Sequence, residues 1–459
     1  MTVLSQSSQR NPYGRALLFC LGASSVAFLG LLRLFGVPLV PFALASGLVF
    51  LLWLAFRYPM MGLAGFLALI PAYTLIFLLA KYFDPNYIGA LEGCDRVVLL
   101  LFTFILWRRN GIKLVLPDWL LLACFGLAVI RLFFSPGLLA LLTDFNFIVA
   151  YAAGRVTALP PEQEKSWANR GVWIIAIISV IGLVEVLFVG EGPRTVLYLA
   201  VANGGTSGLH LDAAFHADQY FGLRESSTMF GPLQFAPLCM AALVIWWVYS
   251  RKIVPAILIT AGLVCSVTRS AWLGTVAAIT VLAALTGQGK RLLWYGAVAL
   301  ALFLAAIPIL GLSDYLLSTK TGQDPSSQSH RESLLGGLEY TLAHPLGTGP
   351  GSVGKFAVKQ DENAAGIEDT YLTLGAQYGI AALACFASFL LSILRLLWHE
   401  RTLRAYTAIG IIVGFGTVMM FAALHDVFPL ACWLWFPVGL AVRSASEKKR
   451  LTVGYPVVG

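Results

Sequence analysis

Long apolar runs, each near the length of a bilayer-spanning helix, follow one another along most of this chain. Short segments holding many of its lysines and arginines separate them. About 20 apolar residues in a helix cross the ~30 Å hydrocarbon core of a bilayer. In that core the backbone must satisfy its own hydrogen bonds, which a helix does within one segment and strands do only in a closed barrel. The runs are continuous rather than alternating, so they predict an all-α polytopic membrane protein. Only 12% of the 459 residues are charged and 58% are hydrophobic, whereas a soluble domain carries about 25% charged residues. Successive spans pack as one bundle, so length does not translate into a number of soluble domains.

Fourteen spans are expected, near 16–35, 37–56, 60–80, 89–107, 118–135, 137–154, 171–190, 232–249, 253–268, 270–286, 291–311, 370–394, 405–424 and 427–443. Lysine and arginine mark cytoplasmic ends, and about two-thirds of the 31 fall on one side of this parse. Both termini are then inside. The chain divides into N-terminal spans (1–190), a first large outer loop (191–231), central spans (232–311), a second outer loop (312–368), and C-terminal spans with a cytoplasmic tail (369–459). The net charge of +8 reads as topogenic, since no basic patch interleaved with aromatics exists and no nucleic acid is expected as partner. Of seven cysteines all but Cys94 sit in apolar runs, as small hydrophobes rather than a disulfide framework. The first run is long and lacks an A-x-A-like end, so no cleaved signal peptide is expected.

The polar exceptions carry the functional information. Arg131, Asp144 and Glu185 fall inside expected spans, where an ionisable group costs at least ~2.5–3.5 kcal/mol on insertion scales and faces a bundle interior or wet cavity. Arg131 and Asp144 flank the Ser135-Pro136 turn and could pair as a structural salt bridge; alternatively, the three line a polar cavity open to the outer face. In the first outer loop, His210, Asp212, His216 and Asp218 offer metal-ligand chemistry. Their spacing fits no standard zinc pattern, and no metal is expected. That loop ends at Arg224, which either snorkels to lipid phosphates or meets an anionic lipid-linked ligand. In the second loop, Ser329 and Glu332 fit a capping box. Leu334, Leu335, Leu338 and Leu342 then fall on one face before Pro345, which predicts a short amphipathic helix lying along the bilayer surface. Gly349 to Gly354 spells G-x-G-x-x-G, but no strand precedes it, so it is no dinucleotide fingerprint. It is a turn back into the bundle, or a set of amides for a phosphate. Glu368 and Asp369 head the next apolar run, either as helix-start acids or as acid–base groups.

Four segments in order carry a resemblance: RESSTMFGPLQFA at 224–236, VTRSAWLG at 267–274, RESLLGGLEYTLAHPLGTGPGS at 331–352 and EDTYLTLGAQYGIAAL at 368–383. Together they resemble the O-antigen ligase and O-unit polymerase superfamily of bacterial membrane glycosyltransferases, over roughly Arg224 to Leu383. The resemblance implies a GT-C-like bundle in the bacterial cytoplasmic membrane, with its active site facing the periplasm. It implies a glycan donor on undecaprenyl diphosphate, a glycan or lipid-linked acceptor, membrane lipids and envelope-assembly proteins as partners, and no cofactor. Arg224, Arg269 and Arg331 match the family's functional arginines and would bind the donor diphosphate. Many members carry histidine and a small polar residue where this chain has Glu368-Asp369.

The chemistry requires such groups. Cleaving an anomeric C–O bond to a diphosphate builds charge on the leaving phosphate, which bidentate, permanently charged arginines stabilise. The acceptor hydroxyl must lose its proton to a base within hydrogen-bond reach; Glu368 or Asp369 is the first candidate and His425, in the last outer turn, the reserve. Polymerisation of exopolysaccharide or O-antigen-like repeats is the favoured reaction, ahead of ligation. The alternative is a transporter or flippase of lipid-linked sugars, although its usual repeats and midplane helix breaks are not evident in the sequence.

Overall fold

The computed structural model describes residues 39–76, 93–135, 137–189, 227–229, 231–309, 325–354, 357 and 366–453. The expected span at 16–35, the histidine–aspartate stretch at 210–218 and Arg224 lie outside them. Among the described residues every regular element is helical. In chain order these are α1 (Leu39–Arg57), α2 (Pro59–Leu69), α3 (Cys94–Asn110), α4 (Leu116–Arg131), α5 (Leu138–Asp144), α6 (Phe147–Val156), α7 (Pro161–Val184), α8 (Pro232–Tyr249) and α9 (Ile253–Cys265). They continue with α10 (Arg269–Thr286), α11 (Gly289–Ile309), α12 (Pro325–Ala343), α13 (Thr370–Tyr378), α14 (Ile380–Leu397), α15 (Leu403–Met419) and α16 (Phe428–Val453). Among the described residues seven helical segments are long and apolar enough to cross a membrane, or eight if the bent pair α5 and α6 forms one span. This is a polytopic membrane protein.

Burial orders the bundle. About four-fifths of α8's span window lies inside the protein, against 11% for α11, so α8 is central and α11 peripheral. The sequence of α8 accounts for this, since it is apolar on every side and packs Phe235, Trp246 and Trp247 against neighbours. Small residues let two helix pairs approach closely. A Cβ added at Gly154 of α6 would lie 2.1 Å from the Phe436 carbonyl oxygen of α16, and one at Gly439 would lie 2.1 Å from that of Tyr151. Gly274 of α10 similarly meets Gly414 of α15.

At one end, basic residues tie the helices together. Buried Arg155 gives Nε and Nη2 to Asp118 at 3.0 and 2.8 Å, and Nη2 also to the Lys113 carbonyl at 2.7 Å. Tyr151 donates to the same carboxylate, and Asp118 accepts the Val115 amide at the start of α4. Arg443 reaches the Arg155 carbonyl at 3.1 Å, Arg109 that of Phe56 at 2.7 Å, and Arg291 those of Trp247 and Ser250. Arg404 bonds Glu164, which also accepts from Tyr249.

The other end breaks its helices. The expected span 137–154 is interrupted after Asp144, and α5 and α6 meet at a 46° bend. The expected span 370–394 is divided at Gly379, whose φ of +93° a continuous helix cannot hold. The expected span at 171–190 gains three turns at its start, because Pro161 opens a helix through the segment read as a loop, and it ends in a π-helical turn at Glu185–Val189. The separation at Arg269 is present: α9 stops at Cys265 and α10 starts at Arg269.

Candidate active site

One face of α12 holds the segment 366–372. Helix is already present at Pro325, so Ser329 and Glu332 lie within it rather than forming its cap; proline suits a helix start because its missing amide would be unpaired there. His330, Ser333, Gly337 and Thr341, at helical spacing, face the segment 366–372. The Ser333 hydroxyl accepts the Glu368 amide at 3.0 Å and donates to the Gly366 carbonyl at 3.1 Å. Gly337 lies against Ile367 and Leu372, and Thr341 Oγ1 approaches the Leu372 carbonyl at 3.4 Å. The expected leucine face is exposed, from 47% at Leu334 to 62% at Leu342. Arg331, also exposed, falls on that leucine side by helical spacing, about 100° per residue.

The docking of α12 brings together two residues 38 positions apart. His330 Nδ1 lies 2.6 Å from Glu368 Oε2, and both side chains are about half exposed. With Nδ1 donating, the carboxylate orients the ring, and in the neutral imidazole Nε2 is the acceptor. Sequence reading offered Glu368 or Asp369 and did not raise His330, because the His330–Glu368 pairing requires the helix face and the docked segment at once. The available signal was the i, i+3 spacing of His330 and Ser333.

Asp369 does different work. Its side chain accepts the Leu372 amide at 2.8 Å as the N-cap of α13. Burial pushes its carboxyl up to about 6, partly offset by amide hydrogen bonds. His425 is also turned inward and only 2% exposed. Its Nδ1 is 3.3 Å from Thr370 Oγ1, and its Nε2 is 3.5 Å from Asp144 Oδ1. Tyr378 donates to the other Asp144 oxygen at 2.7 Å. The Thr370 hydroxyl donates to the Ala422 carbonyl, so it accepts from the imidazole. This cluster pins the α5–α6 bend to the start of α13 and the turn before α16. Asp144 accepts from Tyr378 and lies 3.5 Å from His425 Nε2 rather than pairing with Arg131, whose guanidinium lies 5.5 Å from the Phe134 ring centre.

The glycine segment is a packed turn. Thr348 and Gly349 amides bond the carbonyls of Ala376 and Gln377, and the Gly351 amide bonds Gln377 Oε1. Gly349, at φ +105°, fits against Ser135, where any Cβ would collide. Those three amides are already used, which favours the turn reading over a phosphate cradle. Arg269, half-buried, is the first residue of α10. Because Gly274 meets Gly414 while Gly410 meets Leu282, α10 and α15 run antiparallel, and Arg269 lies at the end where Ala422 meets Thr370. The cap at Asp369 and the start of α10 therefore share the end opposite the basic ties.

Among the described residues no three His, Cys, Asp or Glu side chains are placed to hold a metal. Residues 254–387 match the family model described as O-antigen ligase. The matched region includes Arg269, His330, Arg331, Glu368 and Asp369, and excludes Arg224 and His425. No curated protein matches the chain.

Proposed function

We propose that this protein is a glycosyltransferase of the bacterial cytoplasmic membrane, built as a GT-C-like bundle of about fourteen spans with 191–231 and 312–368 as periplasmic loops. It takes a glycan from an undecaprenyl-diphosphate donor and polymerises exopolysaccharide or O-antigen-like repeats. The observation that carries this reading is the His330–Glu368 couple at 2.6 Å, beside Arg331 on a helix with exposed leucines and inside the region that matches the O-antigen ligase family. Leucines on the bilayer surface bring α12 to the depth of a lipid diphosphate. Arg331, Arg269 and Arg224 then bind that diphosphate, without a metal.

The acceptor hydroxyl attacks the anomeric carbon while the C–O bond to the diphosphate breaks. The electron pair of that bond leaves with the phosphate, where the arginines stabilise the charge. The hydroxyl proton passes to the His330–Glu368 couple, with Nε2 receiving it and the carboxylate stabilising the imidazolium. Asp369 keeps α13 in register and takes no proton from the acceptor.

Turnover of Glu368→Gln and His330→Gln, measured per folded molecule on purified protein, tests the assignment. Both should fall by roughly 10²–10⁴-fold with unchanged donor binding. Full turnover in Glu368→Gln would remove the couple from the mechanism. Loss in Glu368→Gln with full activity in His330→Gln would make the carboxylate the base alone. Orientation is checked separately: cysteines introduced at Ser207 and Ser326 in a cysteine-free background should label from the periplasmic side.

A further inference from the structure

At the basic end of the bundle, α2, α7 and α16 part to leave a cleft of about 360 Å³, within the size range of small-molecule sites. Met61, one of its lining residues, is 66% exposed, so the cleft is open to the surroundings. Its lining residues on α16 run from Cys432 to Leu440, about 12 Å along the helix axis. The wall is amphipathic along that length. Glu164, Tyr249 and Arg404 line the cleft near the helix ends, and Arg170 lines it about three turns into α7, where the expected span 171–190 begins; Leu67, Ala68, Ile174 and Trp433 line its apolar part. Small residues on the facing helices, Gly65 and Ala68 on α2 with Ala168 and Gly171 on α7, create the room.

Charge selects among amphipathic occupants. Arg404 is paired with Glu164 at 2.5 Å, and Tyr249 bonds the same carboxylate, so that cluster is neutral. Arg170 is exposed, and among the described residues no acid pairs with it. Lys165, Arg251 and Lys252, all exposed, lie at the same end of the bundle. Trp167 also lines the cleft, a residue type that favours the headgroup level of a bilayer. The cleft thus has a surplus positive charge at Arg170 and an apolar interior.

We propose that this cleft is a binding site for an anionic phospholipid, with its phosphate at Arg170 and one acyl chain between α2, α7 and α16. The site lies at the opposite end of the bundle from the His330–Glu368 couple and does not depend on the glycosyltransferase reading. A basic residue facing an anionic headgroup contributes affinity of about fivefold, and basic pockets between spans select such headgroups.

The test uses full-length protein reconstituted into bilayers of equal phosphatidylglycerol and phosphatidylethanolamine, then extracted in mild detergent, with retained lipid read by native mass spectrometry. Wild type should retain phosphatidylglycerol preferentially, at about one molecule per chain. Arg170→Gln should lose about fivefold of that preference. Gly65→Phe should abolish retention, because a Cβ at Gly65 meets nothing within 4 Å and the ring can fill the cleft without a backbone clash. The melting temperature of each variant, measured alongside, should remain near that of wild type. Retention of both lipids in bilayer proportion, or retention unaffected by either variant, would overturn the proposal. So would a wild type that retains no lipid, as expected if the apolar run 16–35 of the same chain occupies the cleft.

Discussion

The two ends of the bundle use ionisable residues in opposite ways. At the basic end Arg155 is 1% exposed and Asp118 5%, their hydrogen bonds are short and mutual, and other arginines bond carbonyls of neighbouring segments. At the other end helices bend at Asp144, stop at Gly379 and unwind at Glu185. There His330 and Glu368 remain about half open to the surroundings, and Arg331 is exposed. Charges that brace a structure are buried with fixed partners; under the proposed function, the charges at the other end keep access to a substrate.

The comparison is sharpened by variants at each end. Arg155→Ala should have the largest effect, about 3–5 kcal/mol of stability lost, because it leaves the buried Asp118 carboxylate unpaired. Thermal unfolding in detergent measures it, and unchanged stability would show that this end is not braced by charge. Arg269→Ala should lose about 2–4 kcal/mol of transition-state stabilisation while leaving stability nearly intact. Arg269→Lys should recover little of that loss if the planar fork is what binds the diphosphate. Asp369→Ala should cost about 1 kcal/mol of stability through the lost cap, with turnover per folded molecule retained. The same residue also carries a pH dependence. With its folded-state value raised to about 6 from an ordinary 3.8, Asp369 binds more proton folded than unfolded between those values. It therefore makes the protein more stable as pH falls from above 6 toward 4, and Asp369→Asn should remove that contribution.

Much of the bundle was legible because span positions depend on local composition. The expected 232–249 coincides with α8, Pro345 follows the end of α12, and the chain does turn between α9 and α10 before Arg269. The leucine face of α12 was legible for the same reason, since helical spacing is a local property. The bend after Asp144 was not, because only Tyr378 and His425, far away in sequence, reveal what the carboxylate meets. Gly379 sits in an apolar run that reads as one span, and its left-handed backbone is fixed by the loop carbonyls of Pro345 and Leu346. The site divides similarly. Glu368 and Asp369 look equivalent in sequence, yet docking of α12 gives one an imidazole partner and burial makes the other a cap. His330 becomes a candidate only once that docking is known.

The most direct measurement is reconstitution of purified protein into proteoliposomes with a defined undecaprenyl-diphosphate oligosaccharide and a chelator. The lipid-linked glycan is analysed for length and its leaflet determined. The account predicts longer glycans on the lipid diphosphate, release of undecaprenyl diphosphate in step with each new glycosidic bond, and loss of both in Glu368→Gln. Movement of intact donor between leaflets with no new glycosidic bond would contradict it and establish a transporter of lipid-linked sugars instead.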